Sequence, residues 1–256
     1  MTLSLDDFAQ QMFVARQDNV HKPLLSEALP DANEAVAYEI QKAFVSLIQE
    51  VDQVSGFKAA LSNPVAQQMF NAAGPASGVL FASGACSSGD TLDMGRFVTP
   101  VLETEIGFRV GQTIENANGP VTRQKLLDSI DATLPMIEVA DVGFTERLSS
   151  ATDLIAGNSG SASYITGAAA SNANIDDVKV TFLRDGEELG TGKGGDAMGS
   201  QIDSLLWLVN RILSQGYDIN SGAYLMTGSL GRIYPAQVGE FVADYGEFGS
   251  IAFCFE

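Results

Sequence analysis

Three glutamates are the residues of this chain best suited to do chemistry. Glu103 and Glu105 stand one residue apart in the stretch VLETEIGFRV, and Glu138 sits inside the apolar run PMIEVADV. If residues 101–110 form a strand, the first two side chains project from the same face, about 6.6 Å apart at Cα for a rise of roughly 3.3 Å per residue. Buried carboxylates without partners are costly or take up protons. Converging carboxylates therefore need a cation, and oxygen-only ligands suit Mg²⁺, Mn²⁺ or Ca²⁺ rather than zinc.

The spacing also fits a second interpretation. Surface strands commonly alternate apolar and charged residues, so Glu103 and Glu105 could equally lie on the solvated face of a half-buried sheet. Glu138 favours the metal site, because apolar residues flank it on both sides and bring its charge close to apolar neighbours. We therefore predict a site for a hard divalent cation.

The elements that must position these residues are mainly strands. Residues 4–18 are predicted as a short helix, and a second helix reaches Val51, with Asp31 and Glu34 as its capping box. Strands dominate from Pro100 onward.

Two later helices, a loop and a hairpin complete the prediction. The helices are expected at Thr122–Thr133 and at Ile202–Leu213, and the loop at Thr145–Asp153. Residues 177–192 are predicted as a hairpin, because Asp185-Gly186 readily adopts the positive φ angles of a tight turn.

This order of elements favours an α+β fold. Runs of strands with helices between them and at the ends are typical of a mixed sheet, here expected to curl. Residues 1–55 are predicted as an N-terminal helical extension and residues 56–256 as the catalytic mixed-sheet domain.

Composition limits the partners. The 256 residues carry 14 basic and 32 acidic side chains, a formal charge of −18, which argues against binding to nucleic acid or to an anionic membrane. The N-terminus, MTLSLDDFAQQMF, is acidic and lacks a long apolar stretch, so it does not resemble a signal peptide. A cytoplasmic protein is expected.

Several segments of the chain resemble one family in order and spacing: the 2-hydroxypenta-2,4-dienoate (2-keto-4-pentenoate) hydratases and 2-oxohex-3-enedioate decarboxylases of the fumarylacetoacetate hydrolase superfamily. The resemblance runs from about residue 37 to the end. Its pieces are Ala37-Tyr38-Glu39-Ile40-Gln41, Gly56-Phe57-Lys58, Pro75 with Gly78, Glu103-Thr104-Glu105, Glu138, Ala156 with Asn158 and Ser159, Leu206-Trp207-Leu208, Thr227-Gly228-Ser229 and Gly249-Ser250.

The resemblance implies a fold, a metal and an oligomer. It implies a mixed β-roll or partial barrel, like the C-terminal domain of fumarylacetoacetase, in which Glu103, Glu105 and Glu138 hold Mg²⁺ or Mn²⁺. Dimers or rings of dimers are the implied assembly.

The resemblance also implies further site residues. Lys58 would lie beside the ion as the catalytic residue, and Asn158, Ser159 and Ser229 would bind substrate. Charge supports Lys58 independently, because three carboxylates and a divalent ion leave one net negative charge, which would repel an acidic substrate and which a lysine cancels.

The implied reaction is that of a metal-dependent lyase. A hydratase would convert a 2-hydroxy-2,4-dienoate into a 4-hydroxy-2-oxo acid in aromatic catabolism, and a decarboxylase acting on 2-oxohex-3-enedioate is the alternative. A hydrolase of acylpyruvates is disfavoured. For those relatives the resemblance implies a His-Glu pair on a lid, whereas the sole histidine here, His21, lies among polar residues of the N-terminal link.

The chain also departs from the family pattern. Gly157 stands where an aspartate is common, Ala223 follows Gly222 where an aspartate is usual, and Gly143 stands where an arginine often occurs. These departures motivate a third reading, a catalytically impaired member that binds metal or a 2-oxo acid.

Overall fold

The structure is a computed structural model that describes residues 4–144, 150–171 and 174–256. Within these ranges lie seven α-helices and thirteen strands. The helices are α1 (Leu5–Gln17), α2 (Leu25–Ala28), α3 (Glu34–Gln49), α4 (Pro64–Met69), α5 (Arg123–Ser129), α6 (Ala151–Ala156) and α7 (Gln201–Ser214). The strands are β1 (Val54–Ala60), β2 (Ala76–Phe81), β3 (Ala85–Ser87), β4 (Thr91–Leu92), β5 (Pro100–Val110), β6 (Ile130–Asp141), β7 (Ser161–Thr166), β8 (Lys179–Arg184), β9 (Glu187–Lys193), β10 (Tyr224–Met226), β11 (Tyr234–Pro235), β12 (Gly239–Asp244) and β13 (Ser250–Phe255).

The strands form two mixed sheets. The larger has the order β2-β1-β10-β5-β6-β7-β3, with β11 also paired to β5, and the smaller has the order β4-β13-β12-β8-β9. The pairs β1–β10, β3–β7 and β4–β13 are parallel, whereas the long central pair β5–β6 is antiparallel. The predicted α+β class with a mixed sheet is confirmed, and each sheet is open in this strand order.

The N-terminal helices pack onto the sheets through shared apolar residues. Phe8 and Met12 of α1 and Ile40 and Phe44 of α3 belong to the same buried cluster as Ile106 of β5. Ser4 caps α1, since its hydroxyl accepts a hydrogen bond from the Asp7 N–H at 3.1 Å.

The predicted cap of α3 is wrong. Asn33, not Asp31, is the capping residue, and its side-chain oxygen accepts a hydrogen bond from the Val36 N–H at 3.1 Å. Glu34 is the first helical residue, and its carboxylate accepts a hydrogen bond from the Ala73 N–H at 3.2 Å instead.

The predicted helix at Thr122–Thr133 is confirmed at its start and wrong at its end. The Thr122 hydroxyl caps α5, but the helix stops at Ser129. From Ile130 the chain pairs with β5 instead, and strand pairing overrides the local helical pattern.

The predicted loop at Thr145–Asp153 is only partly testable. Residues 145–149 lie outside the described ranges, and the loop is wrong for its last three residues, which begin α6.

The predicted hairpin and the last helix are confirmed. Strands β8 and β9 pair antiparallel, and Asp185 and Gly186 between them have φ of 51° and 81°. The helix predicted at Ile202–Leu213 is α7.

Among the described residues, no helix combines the length and apolar character needed to cross a bilayer.

Candidate metal centre

The three glutamates meet on one face of the central β5–β6 pair. Glu103 and Glu138 are direct cross-strand partners, and Glu105 lies two residues further along β5 on the same face. One carboxylate oxygen of each residue lies within 4.8 Å of the others. The structure therefore brings together the three carboxylates that were singled out by the spacing of Glu103 and Glu105 and by the apolar flanks of Glu138.

The cluster is buried, so the interpretation of a solvated charged face is wrong. Glu105 is 0% exposed, Glu138 is 1% exposed and Glu103 is partly buried. The even-numbered residues of β5 are buried as well, because the second face of the strand packs on the main apolar core. Both faces of β5 are therefore covered. A sequence that alternates apolar and charged residues does not reveal whether the charged face is exposed or buried.

Lys58 also enters the cluster. It is 2% exposed, and its Nζ donates a hydrogen bond to Glu138 Oε1 and forms a salt bridge with it. Strand β1 brings it there: Lys58 pairs with Met226 of β10, and β10 in turn pairs with β5.

A loop after β10 supplies a further contact. The Gly228 N–H donates a hydrogen bond to Glu105 Oε2 at 2.8 Å. Gly228 has φ of 113°, and a Cβ at this position would lie 2.3 Å from Ser62 Oγ. Only glycine fits here without strain. The sequence prediction overlooked this backbone donor, although the glycine in Thr227-Gly228-Ser229 was a signal for it.

Each fully buried glutamate keeps one free oxygen. Among the described residues, neither Glu105 Oε1 nor Glu138 Oε2 has a hydrogen-bond partner, although both atoms are buried. Buried polar atoms are nearly always paired, so these two oxygens identify a place for a missing partner. Hard carboxylate oxygens are the donors that Mg²⁺, Mn²⁺ and Ca²⁺ prefer, and the cluster therefore fits such an ion.

The electrostatics lead to the same conclusion. Burial, with the charge of Glu138 as the next cause, raises the pKa of Glu103 to about 7. Burial also raises the pKa of Glu105 well above its ordinary value, and that of Glu138 despite the opposing effect of Lys58. Without a further cation, the folded chain holds protons on carboxyls that solvent would leave ionised.

Lys58 remains a cation in this setting. Burial disfavours its charge, but the carboxylates of Glu138, Glu103 and Glu105 together outweigh burial and raise the pKa of Lys58. This direction is the opposite of what a lysine base would need at neutral pH.

Ser229 lies at the edge of the cluster. Its side chain is 5% exposed, and its hydroxyl has no partner at hydrogen-bonding distance among the described residues. It is nevertheless close enough to Glu103 to lower the pKa of that carboxyl slightly. Of the three predicted substrate-binding residues, Ser229 lies beside a glutamate of the cluster, whereas the side chains of Asn158 and Ser159 bind main-chain atoms of β2.

The side chains of Asn158 and Ser159 form hydrogen bonds with the backbone of β2. The Asn158 amide donates to Val79 O at 2.9 Å and accepts from the Val79 N–H at 2.8 Å, as a neighbouring strand would. The Ser159 hydroxyl donates to Ser77 O at 2.8 Å. Strand β2 is the edge of the larger sheet, so these bonds satisfy an otherwise unpaired edge. Their predicted contact with substrate stays a prediction.

Two of the departures from the family pattern, Gly143 and Gly157, have Lys22, Phe144 and Met12 as neighbours. Gly143 has φ of 62°, and a Cβ there would lie 3.1 Å from Lys22 Nζ. A Cβ at Gly157 would lie 3.3 Å from the Phe144 ring and 3.4 Å from Met12. Ala223 is buried directly before β10, and His21 is exposed.

Comparison with known proteins identifies relatives along nearly the whole chain, although no protein-family model matches it. The 2-keto-4-pentenoate hydratase of Paraburkholderia xenovorans (strain LB400) is 25% identical over 256 residues, covering 98% of this chain and 94% of that protein. The 2-oxo-hept-4-ene-1,7-dioate hydratase of Escherichia coli is 24% identical over 255 residues, covering 95% of each.

Solved structures share the fold. The 4-oxalocrotonate decarboxylase from Pseudomonas putida G7, complexed with magnesium and adipate, has a TM-score of 0.90 at 22% identity and covers 98% of this chain and 97% of its own. The fumarylpyruvate hydrolase from Pseudomonas aeruginosa, in complex with Mn²⁺ and pyruvate, has a TM-score of 0.56 at 10% identity and covers 78% and 88%.

Sequence similarity over the full length, a shared fold and a buried acidic cluster agree with one another. The chain is therefore similar over nearly its full length to 2-keto-4-pentenoate hydratases and to a 2-oxo-hept-4-ene-1,7-dioate hydratase, and it shares the fold of 4-oxalocrotonate decarboxylase.

Proposed function

We propose that the chain is a divalent-metal-dependent hydratase that converts a short 2-hydroxy-2,4-dienoate, of the 2-keto-4-pentenoate type, into a 4-hydroxy-2-oxo acid in aromatic catabolism. One observation carries the proposal: one oxygen from each of three carboxylates lies within 4.8 Å of the others, and two of these carboxylates have a buried oxygen with no partner among the described residues. The full-length similarity to two hydratases with different substrates supports the same reaction class.

Glu103, Glu105 and Glu138 would hold Mg²⁺ or Mn²⁺. When bound, such an ion would act as a Lewis acid that stabilises negative charge developing on the substrate's 2-oxygen. The structures of relatives in complex with magnesium and with Mn²⁺ support a divalent metal.

Lys58 would complete the charge balance of the site. Three carboxylates and a divalent ion leave one negative charge, and the Lys58 ammonium cancels it, so that an anionic substrate is not repelled. Its raised pKa keeps it protonated at neutral pH, which suits it to orient the substrate carboxylate or to donate a proton.

Apolar side chains close the site around these charges. They form a buried cluster on the face that Lys58 and Glu138 share, since Met226 pairs with Lys58 and Tyr164 pairs with Glu138. The cluster consists of Leu80, Leu134, Met136, Tyr164 and Met226. It excludes water and strengthens every charge interaction beside it.

The same chain residues would serve a decarboxylase of 2-oxohex-3-enedioate, because that reaction also develops negative charge on the 2-oxygen. The TM-score of 0.90 to a 4-oxalocrotonate decarboxylase keeps this as the second candidate. The departures at Gly143, Gly157 and Ala223 motivate the third, a member that binds metal or a 2-oxo acid without turnover.

The test is turnover of 2-hydroxypenta-2,4-dienoate and of the hexenedioate, each with Mg²⁺ or Mn²⁺, followed by loss of ultraviolet absorbance. We expect metal-dependent loss of the dienoate in the wild-type chain and in the exposed control Glu39→Gln. Glu103→Gln removes a metal ligand, so its activity should fall by about a hundredfold or more, the effect of losing several kcal/mol of charge stabilisation. Full activity in Glu103→Gln would refute the site.

Consumption of the hexenedioate alone would favour the decarboxylase, and oxalate binding without any turnover would favour the third candidate.

We infer that the larger sheet curls into the roll or partial barrel that the resemblance implies. Leu80 of β2 and Tyr164 of β7 share one apolar cluster although four strands lie between theirs in the sheet order. The hydrogen bonds from Asn158 to Val79 support the same curl, because Asn158 leads directly into β7. We likewise propose the division into an N-terminal helical extension, residues 1–55, and a catalytic domain, residues 56–256. The end of α3 at Gln49, shortly before β1 begins, supports it.

We further propose a cytoplasmic homo-oligomer, a dimer or a ring of dimers. The two free cysteines, Cys86 and Cys254, support a reducing compartment. Sedimentation of the purified chain would measure the oligomer directly, and a monomer at assay concentration would contradict it.

A further inference from the structure

A polar cavity separate from the acidic cluster lies where the end of α1 meets β6 and β7. Its volume is about 170 Å³, and residues of its lining include Arg16, Lys22, Arg96, Asp141, Ser161 and Ser163. None of the three glutamates of the metal centre belongs to its lining. Three of the 14 basic residues of a chain with a charge of −18 thus gather at one cavity.

Neither arginine at this cavity forms an ion pair within the described part of the chain, although Asp52 and Asp141 attract the Arg16 guanidinium from beyond 4.0 Å. Within the described ranges, the ion pairs use other basic residues, and no carboxylate lies within 4.0 Å of Arg16 or Arg96. The Arg16 guanidinium instead lies 5.8 Å from the centre of the Phe81 ring. Its hydrogen-bond donors therefore remain available to a ligand.

Lys22 adds a third positive group. Its Nζ donates to the carbonyl oxygens of Asp141 at 3.0 Å and Val142 at 3.4 Å, both of which are uncharged. Burial lowers the pKa of Lys22 to about 8, and the attraction of Asp141 only partly offsets it. A bound anion would relieve this cost.

Asp141 does not cancel these charges. Its two carboxylate oxygens accept hydrogen bonds from the Val98 and Thr99 N–H groups, each at 2.8 Å. Asp52, whose carboxylate accepts hydrogen bonds from the Ser83 N–H and hydroxyl, is a second carboxylate that attracts Arg16. Three basic groups thus face two carboxylates that are both already hydrogen-bonded, which leaves the cavity with an excess of positive charge. Ser161 and Ser163, exposed by only 7% and 4%, add hydroxyl groups to its wall.

We propose that this cavity is a binding site for a small oxyanion, a phosphate or carboxylate group, held by the Arg16 guanidinium and the hydroxyls of Ser161 and Ser163. The planar guanidinium matches both groups with paired N–H donors. The volume corresponds to roughly five or six waters at ~30 Å³ each, which accommodates an ion as small as phosphate or acetate. The site is independent of the metal centre and of the proposed reaction.

The test is calorimetric titration of the full-length chain with sodium phosphate and, separately, with sodium acetate, against sodium chloride at constant ionic strength. We expect binding of phosphate, acetate or both, one ion per chain, with the same affinity in the presence and absence of Mg²⁺. The ion that binds more tightly shows whether the site prefers a phosphate or a carboxylate group. Arg16→Gln and Ser163→Ala should each weaken binding by about tenfold, the usual effect of losing a charge-assisted hydrogen bond.

The matched control is Arg109→Gln, which removes one positive charge from an exposed ion pair with Asp131 and should leave the affinity unchanged. If Arg16→Gln does not fold, the exposed Arg96→Gln provides a second charge removal at the cavity. Equal weakening by Arg109→Gln, or no binding of either ion, would overturn the proposal. Binding that requires Mg²⁺ and disappears in Glu103→Gln would also overturn it, because the anion would then lie at the metal centre.

Discussion

At the scale of single residues, the metal centre depends on a balance between Lys58 and the carboxylates. Lys58 shares a hydrogen bond with Glu138, and the pKa of every carboxyl in the cluster is raised by burial. The lysine therefore neutralises part of the charge that a metal would neutralise more fully. A divalent ion held by the three glutamates would be repelled by the Lys58 ammonium.

Lys58→Met should consequently tighten Mg²⁺ binding and destabilise the metal-free protein. Removing the neighbouring positive charge should strengthen binding by about tenfold or more. Breaking a buried ion pair should lower the free energy of unfolding without metal by up to about 3–5 kcal/mol. Calorimetric titration with Mg²⁺ and urea denaturation measure the two effects. Lys125→Met, on an exposed position of α5, is the control, and weaker Mg²⁺ binding by Lys58→Met would contradict this account.

At the scale of elements, two features hold β1 and β2 in register beside the metal strands. The side chain of Asn158 satisfies the edge of β2, and Gly56 permits the close approach of β1 and β10. A substitution at either position tests whether the residue acts by stabilising the fold.

Asn158→Asp keeps the oxygen that accepts from the Val79 N–H but loses the donor to Val79 O, and places a carboxylate against that carbonyl. We expect it to lower the free energy of unfolding by about 1–3 kcal/mol, the cost of a buried group left unpaired. Aspartate tolerates the left-handed backbone at this position, φ of 58°, so strain does not obscure the result. Urea denaturation beside the exposed control Asn220→Asp measures it. An unchanged stability with a raised KM would instead support the predicted substrate contact.

Gly56→Ala should destabilise the larger sheet. A Cβ at Gly56 would lie 2.1 Å from the Tyr224 carbonyl oxygen, which belongs to the backbone of β10 and cannot rotate away. We expect a loss of about 1–3 kcal/mol or more in the free energy of unfolding, the range seen for overpacking. Gly74→Ala is the matched control, since no atom of the described ranges lies within 4 Å of its added Cβ. Equal stability of the two variants would show that β1 and β10 separate freely.

The elements were predictable where local chemistry decides them. Alternation identified β5, Asp185-Gly186 identified the hairpin, and the Thr122 hydroxyl identified the start of α5. The end of α5 was missed because β6 pairs with β5 from Ile130 onward, a contact with residues about twenty positions earlier in the chain. Asn33 was missed because Asp31 offered an equally good cap two residues away.

At the scale of the whole molecule, the acidic cluster should make stability depend on pH and on metal. The pKa of Glu103 is about 7 in the folded chain against an ordinary value of 4.5, so the unfolded chain ionises first as pH rises. Between these values the unfolded chain binds fewer protons, and the free energy of unfolding falls with rising pH. Glu105 and Glu138, whose pKa values are also raised, contribute in the same direction.

We therefore expect the metal-free protein to be less stable near neutral pH than at about pH 5, measured by urea denaturation. Saturating Mg²⁺ should remove this slope and add about 2.7 kcal/mol at a concentration of 100 times the Kd. Measurements should stay below about pH 8, because Lys22 loses its proton there and acts in the opposite sense. Glu103→Gln should flatten the slope, and a metal-free stability that rises toward neutral pH would contradict the buried-carboxylate account.

The fold class was predictable at this scale, but the strand order was not. The α+β class follows from the runs of strands and helices. The pairing of residues 56–58 with residues 224–226 joins segments far apart in the chain, and neither segment carries a local signal for its partner. For the same reason the sequence indicated three carboxylates and a lysine, but not the Gly228 N–H or the apolar cluster around them.

The Tyr245 hydroxyl links the smaller sheet to the metal strands, through the carbonyl oxygens of Glu105 at 3.0 Å and Met136 at 2.9 Å. Both of these hydrogen bonds go to main-chain carbonyl oxygens, so neither requires a particular side chain on β5 or β6. The glutamates could therefore be replaced by histidines, to favour a softer transition metal, while the Tyr245 hydroxyl keeps its hydrogen bonds to β5 and β6.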